Sequence, residues 1–443
     1  MAIINLNRSC LAINGGKKLR IEKWKDNITV GVEERLAVMR VLDHGYLSLF
    51  EGSHTPDKPF SFKGGPEVQS LEHEWSEYYG SKYSIAMNSA TSGLYAAIGA
   101  LGIGYGDEVI VSPYTMSACA LAPMIYGAIP VFADVDPETG CLDPNSVEKK
   151  ITQRTKGILV VHQFGFPAEM EKIMSLAKSH KIHVIEDCAQ AHGAKRKGKY
   201  VGTIGDIGVF SLNVNKTIHS GEGGVCITNN EELAYRLQLI RNHGEAVVGP
   251  ANYENIENIA GFNYRMTEIT AAVAREQLKK LPNLNKQRLE LVEQLKLGLK
   301  HYDFLRPFSD SSSCKSCNCS NKSKCESTYY VFPMKYHAEL AGYDRSAFVA
   351  AANAEGAQFF EGYTKPLYLQ PIYQQRILFK MGYPFNAKEN RQCYMNYSKG
   401  ICANAEKLHF EQVVINEHVR PPNSSKDVND LIHIVEKICN KIL

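Results

Sequence analysis

From about Tyr83 to Asn229 the chain alternates short apolar runs with stretches of helical spacing, and this restricts the folds open to it. SIAM (Ser84 to Met87) leads into NSATSGLYAAIGAL, and DEVIVSP, MSACALAPMIYG and IPVFADV follow. GILVVHQF, an amphipathic PAEMEKIMSLAKSH and KIHVIEDC continue the pattern. The short runs are apolar almost throughout, as expected of strands covered by helices on both faces. The alternation predicts an α/β fold around a parallel or mixed sheet with crossover helices. Helical spacing resumes at Leu233 to Arg241 and at Thr267 to Leu281, where Pro282 is expected to end the helix.

A charged amphipathic helix, NKQRLELVEQLKLGLK, leads into a second unit with strand-like TYYVFPMKY, helical RSAFVAAANAEG and a last helix, DVNDLIHIVEKICNKI. A length of 443 residues suits two domains. We expect an N-terminal arm and large domain over residues 1–285. Residues 286–443 are expected to form a smaller α+β domain, with a Cys- and Ser-rich insert near 308–327.

Apolar and charged contents of 44% and 22% are those of a globular protein. A formal net charge of +3 gives no reason to expect nucleic acid or an anionic membrane as partner. No apolar run reaches the ~18 residues of a membrane span, and charges interrupt the amino terminus too early for a signal peptide. The expected location is the cytoplasm, with reduced thiols; Cys119, Cys188, Cys226 and Cys439 fall in apolar strand or helix contexts.

In an open α/β sheet ligands gather at the carboxyl ends of strands, and three such ends here carry polar groups. Asn88-Ser89-Ala90-Thr91-Ser92-Gly93 follows SIAM; it is either an ordinary helix cap or a phosphate-sized anion site at a helix start. The strand IHVI ends in Glu186 and Asp187, which alternation sends to opposite faces, so at most one reaches a given site. IGVF is followed by Ser211 and, five residues on, by Lys216 in a glycine-rich loop. A lysine, a carboxylate and hydroxyls or amides at a helix start are what pyridoxal phosphate needs for its aldehyde, ring nitrogen and phosphate. Partial desolvation and neighbouring cations would lower the lysine pKa and free its amine as nucleophile and base.

NSATSGL, ALGIGYGDEVIVSPYT, GAIPVFADVD, VIEDCAQAHGA, GDIGVFSLNVNK, GEGGV and NYRM resemble the motifs of the DegT/DnrJ/StrS family, over nearly the whole chain. Those are pyridoxal-phosphate-dependent sugar and cyclitol aminotransferases of fold type I, the aspartate aminotransferase fold. The resemblance implies Lys216 as the Schiff-base lysine, Asp187 as partner of the ring nitrogen and Gln190 near the phenolic oxygen. It implies Thr91, Ser92 and Ser211 at the phosphate, and Asn263 and Arg265 reaching into the neighbouring subunit's site of a homodimer. Glutamate or glutamine would be the amino donor, and a keto sugar, nucleotide-linked, or a keto cyclitol the acceptor, in a ping-pong reaction. A lyase or dehydratase of the same family, or a non-catalytic regulator that binds the cofactor, are the alternatives. Three departures stand out: Met116 where many relatives stack an aromatic ring on the cofactor, Asn213 where histidine is common, and Tyr368 in PLYLQP where PLH is common.

Tyr363, Tyr368, His219 and Arg265 are candidate substrate contacts. Gly102, Gly104 and Gly106 follow a helix and precede a strand, the wrong order for a dinucleotide fingerprint. The basic run from Lys195 to Lys199 is expected to be a solvated hairpin tip. Cys314, Cys317, Cys319 and Cys325 could form a tetrahedral metal site. Their spacing matches no standard arrangement, and unliganded surface thiols are expected instead.

Overall fold

The computed structural model describes residues 11–53, 57–308 and 325–442. Its centre is a seven-stranded sheet in the order β1-β9-β8-β5-β4-β2-β3. The strands are β1 (Tyr83–Met87), β2 (Glu108–Val111), β3 (Ile129–Phe132), β4 (Thr155–Val161), β5 (His183–Asp187), β8 (Ile207–Ser211) and β9 (Gly224–Thr228). Only β9 runs against the others. Every residue of β2, β3, β8 and β9 is buried, which is why these segments lack alternation.

Helices α1 (Val32–His44), α2 (Pro66–Tyr79), α3 (Ala90–Ala100), α4 (Ala118–Ile125), α5 (Pro144–Glu148), α6 (Met170–His180) and α7 (Glu231–Arg241) precede one long helix, α8 (Glu268–Leu299). α8 packs against α1 and α2. A second sheet has the order β10-β11-β13-β12, from Leu305–Pro307, Phe332–Tyr336, Val413–Asn416 and Phe359–Glu361. No helix among the described residues is long and apolar enough to cross a membrane.

Pro282 does not end its helix; it sits inside α8. An internal proline costs about 3 kcal/mol. Six leucine and valine side chains buried along α8 (Leu278, Leu281, Leu291, Val292, Leu295 and Leu299) contribute about 1.5–3 kcal/mol each, so the helix persists.

The basic run forms the expected hairpin, β6 (Lys195–Arg196) with β7 (Lys199–Tyr200), but Arg196 is not solvated. It is buried, and its Nε donates to Glu171 Oε2 at 3.0 Å. Gly102 and Gly106, both with positive φ, turn the chain from α3 into β2 as expected. Cys325 is buried rather than a surface thiol, and its Sγ accepts from Lys197 N at 3.4 Å; Cys314, Cys317 and Cys319 lie outside the described residues.

Candidate active site

The ends of β1, β2, β5 and β8 open on one cavity of about 370 Å³, lined by Thr91, Met116, Asp187, Gln190, Ser211, Lys216 and Tyr363 among others. Each arrives for a local reason. Strand alternation aims Asp187 into the cavity and Glu186 away from it. Glu186 Oε1 accepts from the backbone of Ile204 and Gly205, and its Oε2 accepts from Gly202 N and from His162 Nε2 at 2.9 Å. The His162 tautomer follows, because its Nδ1 already accepts from Ala168 N at 3.0 Å.

Two groups fix the Asp187 carboxylate. Ala189 N donates to Oδ1 at 2.9 Å, and the Cys119 thiol donates to Oδ2 at 3.0 Å. Burial, and then the Asp187 charge, hold the Cys119 pKa well above its ordinary value, so the thiol stays a donor. Gln190 is fixed at both ends: its Oε1 accepts from Phe164 N at 2.8 Å, and its Nε2 donates to the Tyr363 hydroxyl at 3.2 Å.

Lys216 lies in the loop between β8 and β9. Its N–H donates to Asn213 O at 2.9 Å, and its carbonyl accepts from Asn27 Nδ2 at 2.9 Å. The Lys216 amine sits 4.5 Å from the centre of the Tyr330 ring, a cation–π contact. Buried His192 is held to a pKa of about 3, first by desolvation and then by the Lys216 charge.

At the far side, Ser89 caps α3 by accepting from Ser92 N at 3.0 Å. The remaining first-turn N–H groups have no partner within the helix, and Ala90 and Thr91 line the same cavity as Ser211. The Ser92 hydroxyl is engaged by Asn88 and Ser89, and Ser89 rather than Ser92 lines the cavity.

Four further candidates lie elsewhere in this chain. Tyr368 is fully buried, with its ring against Phe132 and its hydroxyl donated to Glu406, so it is a core residue rather than a cavity contact. His219 is buried away from the cavity, with its backbone N–H donating to Gln277 Oε1. Arg265 donates to Asn263 Oδ1 at 2.9 Å, and neither residue lines the cavity. Conversely, Cys119 and Tyr330 belong to the site without any sequence signal that marks them, since each meets its partner across a long stretch of chain.

A mostly parallel sheet with its polar residues gathered at strand ends around a lysine and a carboxylate is the architecture of the fold type I aminotransferases. The chain belongs to the DegT/DnrJ/EryC1/StrS aminotransferase family, whose model matches residues 57–395. It is 41% identical over 235 residues to GDP-perosamine synthase of Escherichia coli O157:H7, covering 53% of this chain and 64% of that one. It is 34% identical over 339 residues to L-glutamine:2-deoxy-scyllo-inosose aminotransferase of Streptoalloteichus tenebrarius, covering 74% of each. The crystal structure of an aminotransferase from Psychrobacter cryohalolentis superposes with a TM-score of 0.78 at 28% identity, covering 96% of this chain and all of that one.

Proposed function

We propose that the protein binds pyridoxal phosphate and moves an amino group from glutamate or glutamine to a keto sugar, nucleotide-linked, or to a keto cyclitol. The observation that carries this is a single cavity holding Lys216, Asp187 and the start of α3. The donor set fits the cofactor: an amine for its aldehyde, a carboxylate with two fixed donors for its ring nitrogen, and helix-start N–H groups with two hydroxyls for its phosphate. When bound, the cofactor would supply an electron sink for charge left on the donor's α-carbon.

The chain's own residues do the rest. Lys216 Nζ would hold the cofactor at its aldehyde and would serve as the base for the proton on the donor's α-carbon. The Asp187 carboxylate would pair with the ring nitrogen. Thr91 and Ser211 would hold the phosphate, Gln190 would serve the phenolic oxygen, and the Met116 thioether would pack on the ring. Donor and acceptor use the site in turn, in two half-reactions.

The names of the two curated relatives, one for a GDP-linked sugar and one for an inosose, support the acceptor class. A homodimer with shared sites is part of the proposal, with Asn263 and Arg265 serving the other subunit. Val32, Leu36 and Met39 on α1 are 61%, 55% and 49% exposed, an apolar patch suited to burial against a second copy.

The test is a half-reaction without acceptor. Glutamate or glutamine should convert the bound cofactor to pyridoxamine phosphate, with release of one equivalent of keto acid. If no amino acid does so while a sugar alone alters the cofactor's visible absorption, the chain is a lyase and the proposal fails.

A further inference from the structure

Arg420 lies in the turn between β13 and the last helix (Ser425–Ile442). Its backbone is pinned there: its N–H donates to His418 O at 2.8 Å, and its carbonyl accepts from Asn423 N at 3.0 Å. Among the described residues its guanidinium makes no hydrogen bond and no ion pair, and its Nε is closed off from solvent. Arginine in such a position is ordinarily paired.

A second arginine adds to the excess of positive charge. Arg288 is buried, with Nη1 donating to the carbonyls of Tyr329 and Tyr330 at 3.0 and 3.1 Å. Burial first, and then the charge of Arg420, bring its pKa down to about 9. Burial also lowers the Arg420 pKa, and attraction from Glu417, Tyr330 and Asp26 offsets only part of that.

Arg420 lines a small cavity with Asn215, Tyr330, Val331 and Glu417. Asn215 and Tyr330 also line the main cavity, and both adjoin Lys216: Asn215 precedes it in the chain, and the Tyr330 ring faces its amine. The small cavity holds about 50 Å³ against about 370 Å³ for the main one. That is room for a carboxylate and not for a nucleoside diphosphate. Location points the same way. A donor's amine must arrive where Lys216 Nζ stands, and its carboxylates are only a few bonds away.

We propose that Arg420 is the receptor for a carboxylate of the amino donor, seated beside Asn215 and Tyr330. The assignment rests on the aminotransferase reading above. A guanidinium fork matches a carboxylate with two parallel N–H···O bonds, so Arg420 would select amino acids over simple amines.

The test uses the full chain loaded with pyridoxal phosphate, and the variants Arg420→Gln and Arg420→Lys. In the donor half-reaction, R420Q should raise the half-saturating donor concentration about ten- to a hundredfold. R420K should do so less, because it keeps the charge and loses the fork; it also serves if the glutamine variant does not fold. Loss with both glutamate and glutamine assigns the α-carboxylate, and loss with glutamate alone assigns the side-chain carboxylate. Wild-type half-saturation with both donors overturns the proposal.

Calorimetric titration with glutarate, a dicarboxylate lacking an amine, gives a readout that needs no turnover. Binding to the wild type that is lost in R420Q supports the receptor; equal binding to both, or binding to neither, overturns it. A wild-type chain that binds glutarate through Arg420 yet transfers no amino group counts against the aminotransferase reading and leaves the receptor standing.

Discussion

The Cys119 thiol donates to Asp187 Oδ2 at 3.0 Å, with both side chains buried. This bond joins the start of α4 to the end of β5 and fixes the direction of the carboxylate proposed to hold the cofactor's ring nitrogen. Cys119→Ser keeps a donor at that point, while Cys119→Val keeps the volume and removes it. A lost hydrogen bond of this kind is worth about 1 kcal/mol. We expect the valine variant to bind pyridoxal phosphate roughly fivefold more weakly and the serine variant to match the wild type, by equilibrium dialysis. Equal binding by both variants would show that Asp187 needs no help from Cys119.

Stability should depend on pH through His192. The folded chain keeps this side chain neutral down to about pH 3, whereas its ordinary value is 6.5. The folded pKa therefore lies below the unfolded one, and protonation favours the unfolded chain. The contribution of His192 is intact above about pH 6.5 and falls towards pH 3, by up to about 1.4 kcal/mol per pH unit. His418, brought to about 4 chiefly by burial, acts in the same direction. Urea midpoints at pH 7.5 and pH 5 should show the loss, and His192→Phe, which keeps a ring against Trp75 and Phe210, should reduce it. An unchanged slope in that variant would contradict the assignment.

Gly224 opens β9 directly beneath the start of α3. A Cβ there would lie 2.5 Å from Ala90 N and 2.5 Å from Ser89 C, and both are backbone atoms that cannot swing aside. Gly224→Ala should therefore cost about 1–3 kcal/mol in stability. It should also weaken cofactor binding, because the displaced turn is the proposed phosphate site. Thermal unfolding and a cofactor titration would check the two effects, and a variant unchanged in both would remove Gly224 from the account.

What was legible in the sequence is what local pattern decides. The unbroken apolar runs marked the strands, and the residues just after them (Thr91, Asp187, Ser211) marked the cavity, because strand ends in a parallel sheet share one edge. Pro282 misled because propensity is local while the leucines that hold α8 together are spread over both its halves. Arg196 looked solvated because nothing near it in the chain shows that Glu171 will meet it. Tyr330 lines the main cavity and Arg420 the small one beside it, and both come from the second sheet region, more than a hundred residues beyond Lys216. Tyr368 follows a motif that suggested substrate, but its hydroxyl finds Glu406 inside the core.

Lys216 is the residue proposed to carry the cofactor. Borohydride reduction of the protein loaded with pyridoxal phosphate, followed by proteolysis and mass mapping, tests it most directly. One pyridoxyl label per chain is expected, on the peptide containing Lys216, and none on the Lys216→Ala variant. A label on another lysine, or equal labelling of the variant, would contradict it.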